Sequence, residues 1–411
     1  MKPWTPPHVP ALVRSSEPPT VYCTRARGPL RKLVRGDEAK LYVCGITPYD
    51  ATHLGHASTY VAFDVLHRLW IDAGYSVTYV QNITDVDDPL LERAQATGVD
   101  WQELAREQID LFRSDMEALR VIPPTHYIGA VEAMDIVARS VVELLDKGFA
   151  YSLDNGDVYF KIDSSYKPPF GSVSHYDADT MAKLFAERGG DPDVAGKENP
   201  LDPLLWRAKR EGEPSWDPDG LPAGRPGWHI ECTAIAQEYA GLPLHVQGGG
   251  NDLAFPHHEM GAAHAAAWLD TPLAQSYMHT GMVGYEGEKM SKSLGNLVLV
   301  SQLREQGVDP MAIRLTILDH HYRSDWMYDD GALAKATERL EQWRRAAQCG
   351  SHYVSKDVVR ELRECLADDL DTPTALSLID DWAAARDQNT SESESEAVVK
   401  AVDALLGIQL A

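Results

Sequence analysis

This sequence of 411 residues lacks long apolar runs, regularly spaced cysteines and a positive net charge. No apolar run is long enough to span a membrane, and proline or charge interrupts every short apolar run near the N-terminus, so no signal peptide is recognisable. We therefore expect a cytoplasmic protein without a membrane partner. The five cysteines are odd in number and widely scattered, which argues against a disulfide framework and favours reduced thiols or metal ligands.

The chain is poor in positive charge and has a formal net charge of -24. Nucleic-acid-binding proteins usually gain affinity by neutralising phosphates, so this balance weighs against a polyanionic partner. The local exception is a basic cluster of Arg25, Arg27, Arg31, Lys32 and Arg35. A solvated face of an early hairpin is the simpler interpretation of that cluster, and a nucleic-acid site is the alternative.

What is present is the pattern of an α/β protein. Residues 40–46 form a short apolar run typical of a buried strand, and apolar residues then recur at helical spacing from Val61 to Leu69. Gly74 ends this helix, and residues 75–84 predict a second strand. The strand–helix–strand order predicts a Rossmann-like, doubly wound parallel sheet.

The remaining chain predicts several parts around this unit. Nine prolines, with many glycines and charges, interrupt any regular pattern over 164–226, which indicates an insertion between two halves of the sheet. Residues beyond 300 are mostly amphipathic helix. The predicted division is an N-terminal extension over 1–35, a Rossmann-like catalytic domain in two halves over 36–125 and 220–285, an inserted connective region over 126–219, a "KMSKS" loop with a stem-contact-like region over 286–340, and a C-terminal helical domain over 341–411.

The motif "HLGH" lies at the start of the first predicted helix and contains His53 and His56. Backbone N–H groups and partial positive charge collect at such a helix end and attract phosphate. Two histidines three residues apart lie on the same face and can both donate hydrogen bonds to a phosphoryl group. Alone, such a pair is more often an accident of the surface.

Two further motifs complete a candidate ATP pocket. "KMSKS" places Lys289 and Lys292 on a glycine-flanked loop that could close over a triphosphate and neutralise the leaving pyrophosphate, although ordinary solvated lysines are the alternative. "QGGGND" puts glycines after a strand, where the backbone can lie against a base, and its acidic residue can accept from ribose hydroxyls. The nucleoside is therefore expected on Gly250 and Asp252.

Three residues far apart in the sequence could form a metal site. Cys44 ends the first strand, Cys232 lies in "WHIEC" and His257 lies in "PHHE". They can meet only in the folded sheet, at strand ends, and two thiolates with an imidazole suit zinc. Each has an ordinary alternative, since a free cysteine is usually a small buried hydrophobe and the adjacent His258 could be a capping or core histidine.

The segments "YVCGITPYDATHLGHA", "YVQNITDVDD", "GRPGWHIECTA", "GGGNDLAFPHHE" and "KMSKSLGN" resemble the cysteinyl-tRNA synthetase family of class I aminoacyl-tRNA synthetases, over about 40–330. The resemblance implies ATP with Mg²⁺ and one Zn²⁺ per chain on Cys44, Cys232 and His257, where zinc takes the thiolate of the cysteine substrate. Pocket shape alone discriminates weakly between cysteine and serine. Zinc discriminates better, because a serine hydroxyl cannot match the bond that a soft thiolate forms with zinc.

Three departures narrow the resemblance to the paralogous cysteine:glucosaminyl-inositol ligases of mycothiol biosynthesis. Gly261 stands where the synthetase turn has a glutamate that supplies a fourth zinc ligand, "ERGGDP" over 187–192 differs from the synthetases, and the chain stops at Ala411 without a longer anticodon-reading region. Three protein ligands keep one zinc position open for substrate. The resemblance implies ATP-dependent ligation of L-cysteine to the amine of GlcN-Ins through cysteinyl adenylate, in a monomer without tRNA.

The same resemblance implies the residues of the site. The phosphates are handled by His53, His56, Lys289 and Lys292. The cysteinyl-adenylate pocket is lined by Cys44, Gly45, Ile46, Thr47, Thr59, Asn82, Ile83, Thr84, Trp228, Gly250, Asn251, Asp252 and Val283. The sequence assigns no general base for the acceptor amine.

Two alternatives share most of these motifs. A truncated cysteinyl-tRNA synthetase would carry out the same first step with tRNA as the acceptor. A non-catalytic zinc- or thiol-binding paralogue would need neither the two lysines of "KMSKS" nor the two histidines of "HLGH". Cysteine-dependent ATP–pyrophosphate exchange distinguishes this paralogue from the enzymes, and amide formation on GlcN-Ins distinguishes the two enzymes.

Replacing Lys292 with alanine tests the assigned role of the "KMSKS" loop. We expect Lys292→Ala to slow adenylate formation by about 100-fold, because a group that stabilises charge on the leaving pyrophosphate is lost. Cysteine affinity should stay nearly unchanged. ATP–pyrophosphate exchange at several cysteine concentrations measures both quantities, and an equal loss in both would contradict the assignment.

Overall fold

The structure is a computed structural model that describes residues 1–13, 17–30, 36–163, 165–290, 295–349, 355–385 and 392–411. Its strands are β1 (Val21–Cys23), β2 (Gly28–Leu30), β3 (Glu38–Val43), β4 (Ser76–Ile83), β5 (His126–Gly129), β6 (Ala150–Ser152), β7 (Val158–Phe160), β8 (Leu204–Ala208), β9 (Gly224–Pro226), β10 (Leu244–Gly250), β11 (Ala274–Thr280), β12 (Val283–Tyr285), β13 (Glu288–Lys289) and β14 (Trp326–Tyr328). Its helices are α1 (Leu54–Asp72), α2 (Asp88–Thr97), α3 (Trp101–Ala118), α4 (Met134–Asp146), α5 (Ala178–Glu187), α6 (Trp228–Tyr239), α7 (His257–Leu269), α8 (Val300–Glu305), α9 (Pro310–Leu318), α10 (Asp330–Cys349), α11 (Ser355–Ala367), α12 (Thr372–Ala384) and α13 (Glu392–Ala401), with a 3-10 turn at Asn251–Ala254 and a π-helical turn at Val402–Leu406.

Five parallel strands form the central sheet in the order β11-β10-β3-β4-β5. This confirms the α/β class, and β3, α1 and β4 form the strand–helix–strand unit expected from the sequence. β5 pairs with β4, so the central sheet includes residues from 126 onward, where the predicted insertion begins. The division into domains otherwise stays a prediction.

The side chains of β3 and the residue after it alternate between two cores on opposite faces of the sheet. Ala39, Leu41 and Val43 belong to the core that contains the buried side of α1. Tyr42 and Cys44 belong to the core that contains α6 and α7. Because successive side chains of a strand point to opposite faces, Cys44 is directed towards the helices that carry the other candidate metal ligands.

The segment between the two halves of the sheet forms an ordered unit with its own sheet. β6, β7, β8 and β9 pair antiparallel in that order, and α5 follows β7 in the chain. The sequence indicated an insertion here but no sheet. Each of these strands has only three to five residues, which is too short for an alternating pattern to stand out among the prolines.

The N-terminal residues are anchored to the catalytic sheet by Trp4. Its side chain is buried, and Nε1 donates to the carbonyl of Val121 at 2.7 Å. Its ring packs edge-on against Phe112 and Tyr127, with both centroid distances at 5.8 Å. The extended arm expected from the sequence is therefore held by a buried aromatic cluster.

The basic cluster begins in the hairpin of β1 and β2, as the simpler interpretation expected. The guanidinium of Arg25 lies over the Tyr277 ring and donates to the carbonyl of Gln275 at 3.5 Å. Arg27 donates to the carbonyl of His175 at 3.4 Å. These two arginines therefore contact the protein itself. Three members of the cluster lie outside the described residues, namely Arg31, Lys32 and Arg35.

Residues beyond 300 are mainly helical, as expected from the sequence, and a buried charge cluster joins them to α1. Asp64 of α1 accepts from Arg68 Nε at 2.7 Å and from Arg314 of α9, and all three side chains are fully buried. Arg314 also donates to the carbonyl of Leu406 at 2.7 Å. Within the described ranges, no helix combines the length and apolarity needed to cross a bilayer.

Replacing Asp64 with asparagine should strongly destabilise the fold. Burial raises the pKa of Asp64, but Arg68 and Arg314 outweigh it and hold the pKa below its usual value. The carboxylate therefore contributes stability above about pH 4, and this contribution is lost as the pH falls further. Asp64→Asn leaves two buried guanidinium charges without a carboxylate, for an expected cost of about 3–5 kcal/mol at pH 7.

Urea unfolding followed by circular dichroism measures this cost. The matched control is Glu364→Gln, which breaks an exposed i,i+4 pair with Arg360 on α11 and is expected to cost less than about 1 kcal/mol. A cost for Asp64→Asn no larger than that of the control would contradict the role of the cluster.

Candidate active site

The structure brings together the three candidate metal ligands at the carboxyl end of the central sheet. Cys44 follows β3, Cys232 lies in the second turn of α6, and His257 is the first residue of α7. The two Sγ atoms are 3.9 Å apart, and His257 Nε2 is 3.2 Å from Cys232 Sγ. Ligand atoms from all three lie within 4.8 Å of one another, and all three residues are buried.

This donor set fits a zinc ion. Two thiolates bound to one tetrahedral zinc are about 3.8 Å apart, close to the Sγ separation found here. Burial and the hydrogen bond to Cys232 raise the pKa of Cys44. Burial also raises the pKa of Cys232, but the contacts with Cys44 and His257 outweigh it and hold this pKa well below its usual value. A metal ion would bind both sulfurs as thiolates and release their protons.

His258 is directed to the opposite side of the same cluster. Its Nε2 lies 3.3 Å from Cys44 Sγ, and its Nδ1 lies 2.8 Å from His279 Nε2 on β11. The ring of His279 in turn contacts Thr24 Oγ1 at 2.6 Å. His258 is thus a buried histidine hydrogen-bonded beside the thiols, in keeping with the core alternative.

Glu259, the third residue of the "HHE" string, faces the insertion. Its carboxylate accepts from the backbone N–H groups of Gly171, Val173 and Ser174, with shortest distances of 2.9, 3.0 and 2.7 Å, and from Ser174 Oγ at 2.9 Å. The side chain is buried. Glu259 therefore fixes a loop of the insertion to the first turn of α7.

Gly261 lies one helical turn after His257, and its surroundings are filled. A Cβ built on Gly261 would lie 3.2 Å from Leu273 Cδ2 and 3.2 Å from Thr233 Oγ1. A larger side chain at this position would require these neighbours to move. The described residues therefore offer three ligands in this cluster, as expected from the departure at Gly261.

Two aromatic neighbours orient His257 from the side of α6. His229 Nδ1 lies 3.0 Å from His257 Nδ1, which leaves His257 Nε2 facing Cys232. The ring of Trp228 stacks on that of His257 at a centroid distance of 4.3 Å. Trp228 was expected in the pocket from the sequence, whereas His229 was not. The signal was present in "WHIEC", where His229 precedes Cys232 by three residues and so lies on the same helix face.

The two histidines of "HLGH" lie together at the start of α1. Their rings stack at a centroid distance of 3.8 Å, and His53 Nδ1 caps the helix by accepting from the Gly55 N–H at 3.0 Å. Burial lowers the pKa of His56 to about 4. Its Nδ1 has no hydrogen-bond partner among the described residues. His56 is therefore neutral at pH 7 and can donate from one ring nitrogen.

The chain returns to "HLGH" directly after the "KMSKS" segment. The N–H of Leu54 donates to the carbonyl of Val298 at 2.9 Å, and the N–H of Val300 donates to the carbonyl of Thr52 at 3.0 Å. Lys289 lies in β13, which pairs with β12. Lys292 lies outside the described residues, so its position near the phosphates stays a prediction.

The glycine run was expected after a strand, and the structure places it at the end of β10. Gly248 and Gly249 are inside β10 rather than after it, and a Cβ there would lie 2.3 Å from the Phe63 ring or 2.7 Å from Leu253. These two glycines therefore allow side chains to pack against the strand. Only Gly250 leads directly into the 3-10 turn that carries Asn251 and Asp252, so only this end of the run remains a candidate for contact with a nucleoside.

Several other predicted pocket residues are tied to one another. Asn82 Oδ1 accepts from the Gly45 N–H at 2.9 Å, and Asn82 Nδ2 donates to Thr84 Oγ1 at 3.2 Å. Thr59 Oγ1 lies 2.8 Å from Thr280 Oγ1. The first of these bonds fixes the backbone of Gly45, the residue after Cys44, to the end of β4. Two further members are buried in the core, namely Ile46 and Ile83, and Thr47 is half-buried.

Comparison with known proteins was consistent with this architecture. The family profile described as "tRNA synthetases class I (C) catalytic domain" matches residues 31–338. The sequence is 56% identical to the L-cysteine:1D-myo-inositol 2-amino-2-deoxy-alpha-D-glucopyranoside ligase of Streptomyces coelicolor and 52% identical to that of Catenulispora acidiphila, over 100% of each chain. Among solved structures, methionyl-tRNA synthetase of Mycobacterium tuberculosis in complex with methionyl-adenylate has a TM-score of 0.61 at 16% identity, over 90% of both chains.

Replacing Cys232 with serine tests the metal site. We expect Cys232→Ser to lower the zinc retained after dialysis at least about tenfold, because a hydroxyl is a poor ligand in place of a thiolate. Elemental analysis of the purified protein measures the bound zinc. Cys365→Ser, at a half-buried free cysteine on α11, is the matched control and should keep the unaltered zinc content. Equal zinc in the two variants would exclude Cys232 as a ligand.

Proposed function

The chain belongs to the class I (C) tRNA synthetase catalytic-domain family and, within it, to the L-cysteine:1D-myo-inositol 2-amino-2-deoxy-alpha-D-glucopyranoside ligases, and from this premise we propose how it acts. The protein is an ATP-dependent ligase of mycothiol biosynthesis that joins L-cysteine to the amine of GlcN-Ins and gives Cys-GlcN-Ins, AMP and diphosphate. The observation that carries this proposal is the convergence of Cys44, Cys232 and His257 in a chain that matches those ligases over its full length.

The first step activates the carboxylate of cysteine. A carboxylate oxygen attacks the α-phosphorus of ATP, which forms cysteinyl adenylate and releases diphosphate. His53 and His56 donate hydrogen bonds to the phosphates, and Lys289 and Lys292 neutralise the charge on the leaving group. The backbone bonds that join residues 298–300 to residues 52–54 support this grouping. Mg²⁺ would accompany ATP on its phosphate oxygens.

Selection of cysteine depends on the thiol end of the pocket. A zinc ion on Cys44, Cys232 and His257 would bind the substrate thiolate in its open position, which a serine hydroxyl matches poorly. The chain prepares this site through His229, which orients His257, and through Gly261, which adds no ligand. Thiols of this kind stay reduced in the cytoplasm, which is the location we propose.

The adenylate occupies the pocket between the thiol site and the start of α1. Trp228 supplies an apolar wall beside His257, and Asn82 fixes the backbone of Gly45. Gly250, with the turn that follows it, lies at the nucleoside end of this pocket. The remaining members of the pocket are those inferred from the family resemblance.

In the second step the amine of GlcN-Ins attacks the carbonyl carbon of cysteinyl adenylate. A C–N bond forms, the bond from that carbon to the phosphate oxygen of AMP breaks, and the amine loses a proton. A small acceptor rather than tRNA is supported by the names of the full-length relatives and by the net charge of -24, which disfavours a polyanion. All proposed metal and phosphate ligands come from one chain, so we propose a functional monomer.

Product analysis tests this function against its alternatives. The protein is incubated with ATP and cysteine, and with either GlcN-Ins or tRNA, and the products are identified by mass spectrometry. We expect Cys-GlcN-Ins and AMP with GlcN-Ins alone, and no amide when serine replaces cysteine. Cysteine attached only to tRNA would identify a synthetase instead. The absence of cysteine-dependent ATP–pyrophosphate exchange would identify a non-catalytic paralogue.

A further inference from the structure

The 3-10 turn after β10 depends on a side chain from another part of the fold. This turn, Asn251–Ala254, carries Asp252 and ends at Phe255. Carbonyl groups at the end of a short helical turn have no partner within it. The carbonyls of Asp252 and Phe255 both accept from Nη1 of Arg188, at 2.6 Å for Asp252. One guanidinium group therefore closes the turn.

Arg188 itself is held firmly by the insertion. It directly follows α5 and is the second residue of the "ERGGDP" segment over 187–192. A Cβ on Gly190 would lie 2.5 Å from the ring of Phe185, so this glycine lets the segment fold back on α5. Asp191 accepts from Tyr159 OH of β7 at 2.5 Å and from Lys197 Nζ at 2.9 Å. The small sheet thus anchors the residues that follow Arg188.

The insertion contacts the polypeptide on both sides of His257. Arg188 binds carbonyls before it, and Glu259 binds the loop of Gly171 after it. The contacts of Glu259 therefore hold the start of α7 independently of Arg188. Loss of the arginine should therefore release the turn while the metal ligand on α7 stays in place.

We propose that Arg188 is a positioning residue for the nucleotide. By binding two carbonyls of the turn, it holds Asn251 and Asp252 against the nucleoside of ATP. The insertion thus sets the affinity for ATP, although Arg188 is neither a phosphate ligand nor a metal ligand. This inference rests on the proposed ligase function, in which the turn forms part of the adenylate pocket.

Kinetics of Arg188→Ala in the full-length, zinc-loaded protein test the proposal. We expect kcat/KM for ATP in ATP–pyrophosphate exchange to fall about 10- to 100-fold, mainly through KM, because a displaced turn misplaces the nucleoside. KM for cysteine and zinc content should stay within about twofold of the unaltered values, since α7 is held separately. Added guanidinium ion should restore part of the lost ATP affinity by filling the vacated position.

The matched control is Arg210→Ala. Arg210 also donates to a backbone carbonyl, that of Ala208 at 2.8 Å, and pairs with Asp157, but both partners belong to the insertion. We expect this variant to keep the ATP kinetics of the unaltered protein and to gain nothing from guanidinium. Similar ATP kinetics in the Arg188 and Arg210 variants, or equal losses towards ATP and cysteine, would overturn the proposal.

Two further measurements distinguish a failure of this inference from a failure of the variant to fold and from a failure of the proposed function. If Arg188→Ala does not fold, Arg188→Gln is judged by the same criteria, and failure of both to fold would show a general structural role and overturn the narrower one. Calorimetric ATP binding is measured beside the exchange. An unaltered protein that binds ATP but shows no exchange would refute the proposed function, whereas the effect of Arg188 on ATP affinity would still decide this inference.

Discussion

Cys44 leaves the end of β3 on the face of the sheet that α6 and α7 cover, and the pleat of the strand sets this direction. The two helices then supply Cys232 from the second turn of α6 and His257 from the first residue of α7, near the carboxyl ends of the strands. Parallel strands gather such residues at one edge, so a site can be built from distant parts of the sequence. The candidate metal ligands and the turn at Asn251–Ala254 both lie at this edge.

The insertion is part of the same arrangement rather than an addition to it. Its loop at Gly171–Ser174 is bound by Glu259, its segment at Arg188 binds the turn before α7, and His175 accepts from Arg27 of the N-terminal hairpin. Three regions of the chain therefore meet around the first turn of α7.

Much of this could be predicted from the sequence, because the signals are local or topological. Periodicity predicted β3, α1 and β4, and the rule that strand ends converge predicted the meeting of Cys44, Cys232 and His257. The sheet of the insertion was not predicted, because its strands are too short for an alternating pattern of apolar and polar residues to be recognised. Arg188 was not predicted because its partners are set by tertiary packing, which no spacing in the sequence encodes. His229 was not predicted although its three-residue spacing from Cys232 indicated a shared helix face. The glycine run was expected to follow a strand, but it lies at the end of β10, with Phe63 close to Gly248 and Leu253 close to Gly249.

The side chains of the three consecutive residues His257, His258 and Glu259 contact different parts of the structure because of helical geometry. Successive residues of an α-helix project about 100° apart, so the three side chains face different surroundings. The insertion or deletion of a single residue in the turn before α7 would rotate the whole string by that angle. Each side chain would then face the partner of another. Variation in length between β10 and α7 should therefore be among the changes that this lineage tolerates least.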